Sequence, residues 1–283
     1  MRRGALCKNV AALLVALSSI TANGDAFDAD LRRELDAALA SFDQAQRVQA
    51  DDPDRARFLF QSAAQRFESI AAAAVVNGRL EYNLGNCYLQ AGDTGKAILH
   101  YRRAERLIPR DPLLASNLSE ARSRCHTTIR PARGSVVLRN IFFWHYDTSI
   151  AERSRAALVV YVLFWILSAL RVSVPRPPLS AAAVAAGFAC LVLAASLGTQ
   201  RWLERRTPQG VVTAMDVAVY KGPGAGYQRQ FEQPLQPGVE FSVIGDRHGW
   251  LNVRLADGNS GWIDASAAQL ILTDAKGLRT LRA

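Results

Sequence analysis

Four histidines and four cysteines are the side chains in this 283-residue chain best suited to metal or nucleophile chemistry, and their spacing serves neither. His100, His126, His145 and His248 fall in separate stretches without ligand spacing, so no metal site is expected. Cys87 and Cys125 could close a disulfide outside the cytoplasm, but two separate thiols are the favoured reading. The run GPGAG at 222–226 is followed by no Gly-Lys-Ser/Thr and no expected helix, so it does not cradle phosphate. No nucleophile stands beside a base, and no carboxylate pair has a cleft signature. These residues point away from catalysis and from any bound cofactor. What remains is suited to recognition, namely amides and an arginine at helical spacing and aromatics next to glycines.

The elements that must position those residues divide the chain unevenly. The net charge of +9 is distributed as +3 over residues 1–24, +1 over 25–134, +5 over 135–206 and 0 over 207–283. The excess therefore flanks apolar segments, as membrane arginines do. A nucleic-acid binder would carry it on a folded face, so no nucleic-acid partner is expected. Arg2, Arg3 and Lys8 precede an uncharged run from Val10 to Ala22 and then small residues, the pattern of a secretory signal peptide over 1–24, with an uncleaved anchor as the alternative. Ala156–Leu170 has no charge and reaches about spanning length when extended to Val174. Pro177–Gln200 is also uncharged, and Pro175, Pro177 and Pro178 separate the two runs. Transmembrane helices are expected at 156–174 and 177–200, forming a hairpin in the lipid bilayer.

A hairpin returns the chain to its starting side. The signal peptide places both flanking segments on the extracytoplasmic side of a bacterial inner membrane. Six flanking arginines against two in the hairpin turn (Arg171, Arg176) argue for the opposite orientation. The signal peptide, acting first, is given precedence. Between the first soluble segment and the hairpin, Ile141, Phe142, Phe143, Trp144 and Tyr146 predict an interfacial stretch over 135–150.

Residues 28–130 read as helical. From Gly78 to Asp111, Leu84, Gly85, Tyr88, Ala97, Tyr101, Ala104 and Pro109 reproduce the spacing of a 34-residue tetratricopeptide repeat (TPR), with Glu81 where tryptophan is usual. Shifting back 34 residues makes 54–73 the second helix of a degenerate repeat whose partner is Asp30–Ala50. Asp51-Asp52-Pro53-Asp54 supplies the turn and cap, and Asp111-Pro112 opens a covering helix to about Cys125. A concave face would offer Arg79, Tyr82, Asn83, Asn86, Gln90 and Asn117 to the backbone and terminal carboxylate of an extended peptide, against the alternative of solvated helix faces.

Beyond Thr207-Pro208 the pattern turns to short β runs: VVTA (211–214), DVAVY (216–220), VEFSVIG (239–245), WLNVRL (250–255) and GWI (261–263). Gly222-Pro223, Leu235–Gly238, Gly249-Trp250, Asp257-Gly258 and Gly261-Trp262 resemble a bacterial SH3-like (SH3b) domain, over 207–273 with a tail at 274–283. That resemblance implies a small barrel and peptide binding between loops and aromatics. For Trp250 and Trp262 core packing outweighs a ligand platform, while Tyr220 and Tyr227 beside the GPGAG loop are the better surface candidates.

The order of these parts, with LEYNLGNCYLQAGDTGKAILHYRRAERLIPRDP, resembles the BatE-type proteins of the bacterial aerotolerance (Bat) operon family. The fold class expected is thus a multidomain membrane protein: a helical TPR array, a two-helix transmembrane hairpin and a small all-β SH3-like barrel. The resemblance implies an envelope scaffold working beside MoxR-type AAA+ ATPases and von Willebrand A-domain membrane proteins, with a role in oxygen or stress tolerance. A peptidoglycan-binding sensor is the competing expectation.

Overall fold

The computed structural model describes residues 25–73, 77–125, 148–173 and 177–272. The signal-peptide segment, residues 74–76, residues 126–147 (with most of the expected interfacial stretch 135–150), residues 174–176 and the tail lie outside the described residues. The chain divides into two units: one combines the segments before 133 and after 208, and the other comprises 133–208.

The described residues of the first unit open on α1 (Asp25–Val48), α2 (Pro53–Ala72), α3 (Gly78–Ala91), α4 (Thr94–Leu107) and α5 (Pro112–Arg124). Their starts are written in the sequence. Asp52, Asn77, Asp93 and Asp111 each accept a backbone N–H of the first turn, and Pro53 and Pro112 occupy first-turn positions where a missing N–H costs nothing. Leu31, Leu35, Ala38 and Phe42 on α1 face Phe60, Ala63, Phe67 and Ile70 on α2, with the Phe42 and Phe60 rings edge-on at 5.2 Å. Consecutive helices pack pairwise along the chain. Gly85 lets α3 and α4 close, because any β-carbon there would overlap the Tyr101 ring. The first helix starts five residues before the expected Asp30 and ends at Val48. Asp51 and Asp52 both donate back to the Val48 carbonyl, which closes the turn.

The unit is completed by β1 (Gln209–Val212), β2 (Glu240–Arg247), β3 (Trp250–Leu255), β4 (Ser260–Asp264) and β5 (Ala268–Leu270). They form an antiparallel sheet in the order β4-β3-β2-β1-β5, with a bulge at Val243/Gly245. Val219, Val239, Val243, Val253 and Ile263 fill its core. The expected strand at 216–220 is not one. Asp216 has φ of 53°, and only isolated bridges form, Val217 with Leu235 and Tyr220 with Arg229 and Trp262. The excursion 213–239 crosses the sheet instead of pairing along it, and Tyr220 closes against the free edge of β4 through two hydrogen bonds of 2.8 Å with Trp262. The first strand also starts earlier than the expected Val211, at Gln209.

Sequence reading treats array and β domain as separate, but they interlock. Val211 and Ile271 lie in the helical core, and Cys125 at the end of α5 lies in the core of the β domain. The α5 helix was expected to cover the array by itself; the β domain covers it as well. Gly95 permits close approach, since a β-carbon there would stand 2.9 Å from the Val212 carbonyl oxygen. Arg103 donates to the carbonyls of Ile271 (3.2 Å) and Leu270 (3.0 Å), so the edge strand β5 is shielded by a helix. Glu240 receives Arg102 Nε at 2.9 Å, without hydrogen-bond alignment, and Arg122 Nε at 2.7 Å.

Among its described residues the second unit has the helices α6 (Ile150–Ser173) and α7 (Pro177–Arg206). Both contain segments long and apolar enough to cross a membrane, Ile150–Arg171 and Pro177–Trp202, whose most apolar stretches are only 6% and 17% buried. That exposure sets them apart from core helices of a soluble domain. The first starts before the expected 156, where Ser149 and Glu152 cap it, and the second runs past the expected 200 to Arg206, which stacks on Trp202. Arg153, buried, donates to Ser196 Oγ (2.9 Å) and to Gln200 Oε1, joining the start of α6 to the end of α7, so the pair is an antiparallel hairpin.

Candidate functional site

The six helical candidates occupy one face of α3 and the facing part of α5, but the structure spends most of them internally. Asn117 donates to Tyr82 Oη (3.0 Å) and to Asn86 Oδ1 (2.8 Å), and Tyr101 Oη donates to the same Asn86 oxygen (2.8 Å). Arg79 pairs with Asp111 at 2.5 Å, and Gln90 accepts from Gln49 at 3.0 Å. Tyr82 and Asn83 are buried, and only Asn83 Oδ1 is left without a hydrogen-bond partner. A part-buried network of this kind helps specify how α3, α4 and α5 pack. Of the expected peptide-facing amides, Asn86 and Asn117 are thus bonded to each other and to Tyr101 and Tyr82, whereas Asn83 Oδ1 has no partner.

On the other side of α3, Glu81 meets His100 at 2.7 Å, and the His100 ring stacks on Tyr88 at 5.4 Å. Tyr88 donates to Glu68 at 2.5 Å, and its hydroxyl is pushed upward in pKa by burial first and then by Glu68. Among the described residues no group of three or more His, Cys, Asp or Glu could hold a metal ion.

Cys87 and Cys125 are not joined to each other by a disulfide. Cys87 sits in the helical core, where burial pushes its thiol far above the ordinary range; Cys125 Sγ is 3.4 Å from the Pro237 carbonyl. Maleimide labelling of the folded chain should therefore leave Cys87 unmodified until denaturant is added. Rapid labelling of Cys87 under native conditions would mean that α3 opens locally.

The β domain presents its aromatics outward. Along β3 the buried alternates are Leu251, Val253 and Leu255, which puts Trp250, Asn252 and Arg254 on the opposite face. On β4, Gly261 and Ile263 face in and Trp262 faces out. Both tryptophans are half-buried and outside the core cluster, so the core packing expected of them is not what the structure shows. The reason is register. Asn252 pairs with Trp262 and Gly245 with Asn252, so Trp262 follows the polar row and not the Val253 row. Tyr220 meets the Trp250 ring edge-on at 5.5 Å. Tyr227 is exposed and lies over Gly222. Sequence reasoning missed Asn252 and Arg254, although the alternation in WLNVRL carries the signal.

This aromatic face can stack flat or apolar groups and offer Asn252 for hydrogen bonding. Residues 214–268 match the family described as Bacterial SH3 domain, and the match does not extend to the helices. No curated protein and no solved structure matches the chain. The part of the chain that carries the aromatic face is thus similar to bacterial SH3 domains, a binding module.

Proposed function

We propose that the chain is a non-enzymatic, membrane-anchored adaptor whose β domain binds a protein segment through Tyr220, Trp250 and Trp262. The observation that carries this reading is the outward aromatic cluster on a domain similar to bacterial SH3 domains, while Asn86 and Asn117 of the helical face are bonded to each other. The hairpin α6–α7 supplies the anchor in the bilayer. Because helices before the hairpin and strands after it form one interlocked unit, both soluble segments stand on one side of the membrane. The N-terminal signal pattern makes that side extracytoplasmic. The TPR assignment of the array, and a role in stress tolerance beside von Willebrand A-domain or MoxR-type partners, rest on the resemblance of the sequence alone. Peptidoglycan is the alternative ligand, favoured by the match to bacterial SH3 domains.

A photo-crosslinking amino acid placed in cells at Trp262, and separately at Gln90, tests the reading. A discrete protein adduct at position 262 alone supports it. Adducts at 90 alone return the site to the helical face, and adducts at 262 that sediment with the cell wall support the peptidoglycan alternative. The side is tested by alkaline phosphatase or GFP fused after Ala283: active phosphatase with dark GFP is expected. Fluorescent GFP would place both segments in the cytoplasm and remove peptidoglycan from consideration.

A further inference from the structure

The outer face of the sheet does not stop at the aromatics. Gln209, Ser242, Arg254 and Ser260 pair in one row across β1 to β4, one step along the same face from the row of Gly245, Asn252 and Trp262. At the β1 end of that row α4 closes over the sheet, and Arg102 donates to Gln209 Oε1 at 2.9 Å. The result is a pocket of about 170 Å³ whose polar lining is Arg102, Gln209, Glu240, Ser242 and Arg254. Glu240 is the one acid there, and it is held between Arg102 and Arg122. Arg102 also pairs with Glu105. The Arg254 guanidinium makes no hydrogen bond or ion pair with another described residue. It stands exposed at the mouth as an uncommitted cation.

At the opposite end of the face Trp250 stands in one row between Arg247 of β2 and Asp264 of β4. Asp264 pairs across from Trp250, and its carboxyl is held below the usual range by the Ser266 hydroxyl and then the Ser266 amide. The strip thus has Asp264 and Arg247 on either side of Trp250 and, roughly 8 Å from Trp262, one strand over and two residues along, the arginine pocket. A ligand lying along it is favoured with its flat or apolar side chain on the aromatics and its anionic group at Arg254. About 8 Å is the span of two to three residues of extended peptide.

We infer that this strip, built jointly by the β domain and Arg102 of the helical array, recognises an extended acidic protein segment whose carboxylate seats at Arg254 and whose aromatic or apolar residue two or three positions away packs on Trp262 and Trp250. The inference rests on the aromatic face being a binding surface, and adds to it the charge, the spacing and the contribution of the helices. It also gives the interlock a use, because a β domain free of the array would lack the α4 wall of the pocket.

The test uses the full-length chain in detergent and fluorescein-labelled Gly-Ser dodecapeptides carrying one tyrosine and a Glu-Glu pair two to six residues away, with Gln-Gln peptides as controls. Fluorescence anisotropy is expected to show Glu-Glu peptides binding at least about tenfold tighter than Gln-Gln at a spacing of two or three. Arg254→Glu, at an exposed position, should remove that preference while leaving the weak Gln-Gln binding in place, and should prefer Lys-Lys peptides instead. Trp262→Ala should weaken every peptide. Equal affinity for Glu-Glu and Gln-Gln peptides, or indifference to Arg254→Glu with sensitivity to Trp262→Ala, overturns the inference and leaves the aromatic site standing. Retention on purified peptidoglycan that depends on Trp262 but not on Arg254 does the same. Peptide binding that ignores Trp262 overturns both.

Discussion

Replacing Tyr101 by alanine should cost the helical array about 3–5 kcal/mol, the range for deleting a large aromatic from a packed core. Tyr101 is fully buried between α3 and α4, its ring fills the space opened by Gly85, and its hydroxyl donates to Asn86. Because a domain's whole stability is about 5–15 kcal/mol, the loss should show as a large fall in the melting temperature of the helical signal of the full chain in detergent. Tyr101→Phe keeps the ring and removes one donor, while Asn86 Oδ1 still accepts from Asn117, so about 1 kcal/mol is expected. Similar falls for both variants would show that the hydroxyl network, and not the ring, holds the two helices together.

Arg103→Met should loosen the β domain from the helices, at a cost of about 2–4 kcal/mol for two carbonyls deprived of a charged donor. Burial lowers the Arg103 pKa, and Glu81 and Glu68 act in the other direction, so the guanidinium is a desolvated cation supported by both acids and by the strand carbonyls. Hydrogen exchange is the measurement. Amides of 209–212 and 268–271 should exchange faster, while those of β3 and β4 stay protected. Arg103→Lys retains charge but cannot fork to two carbonyls and should fall between. Unchanged exchange in Arg103→Met would mean that the Arg102–Glu240–Arg122 contacts and the buried Val211 and Ile271 suffice for docking.

Several parts of the fold were legible in the sequence because they depend on local patterns. Apolar residues at helical spacing marked α1 to α5, and the capping aspartates with their prolines marked where helices start. Alternation marked β3 to the residue, Trp250–Leu255. The two uncharged runs marked the hairpin helices, although their ends were read short because arginines were taken as boundaries. Arg153 in fact lies inside the first helix, tied to Ser196 and Gln200. The β run at 216–220 was misread because alternation alone does not show whether a partner strand is present.

The candidate sites were less legible. Arg79, Tyr82, Asn86 and Asn117 were recognised as lying on one face, but helical spacing cannot say whether an adjacent helix consumes that face. Here α5 does. For Trp250 and Trp262 the sequence supplied the aromatic and the preceding glycine. The direction of each side chain came from the pairing of Asn252 with Trp262 and the bulge at Val243/Gly245.

By itself, then, the sequence determined the helical pairs, the hairpin and the β domain, because each follows from residue periodicity, caps and spacing within about thirty residues. Only the tertiary structure decided that segments separated by the hairpin share one interlocked core, that the amides of α3 are bonded inward, and that an arginine of α4 lines the sheet's outer face. The interlock and the arginine at the sheet depend on contacts between residues more than a hundred positions apart, such as Arg102 with Gln209 and Arg103 with Ile271, and the α3 amides on contacts between helices, such as Asn86 with Asn117. Chain periodicity carries no record of such distances; side-chain volume, desolvation and strand register set them when the elements meet.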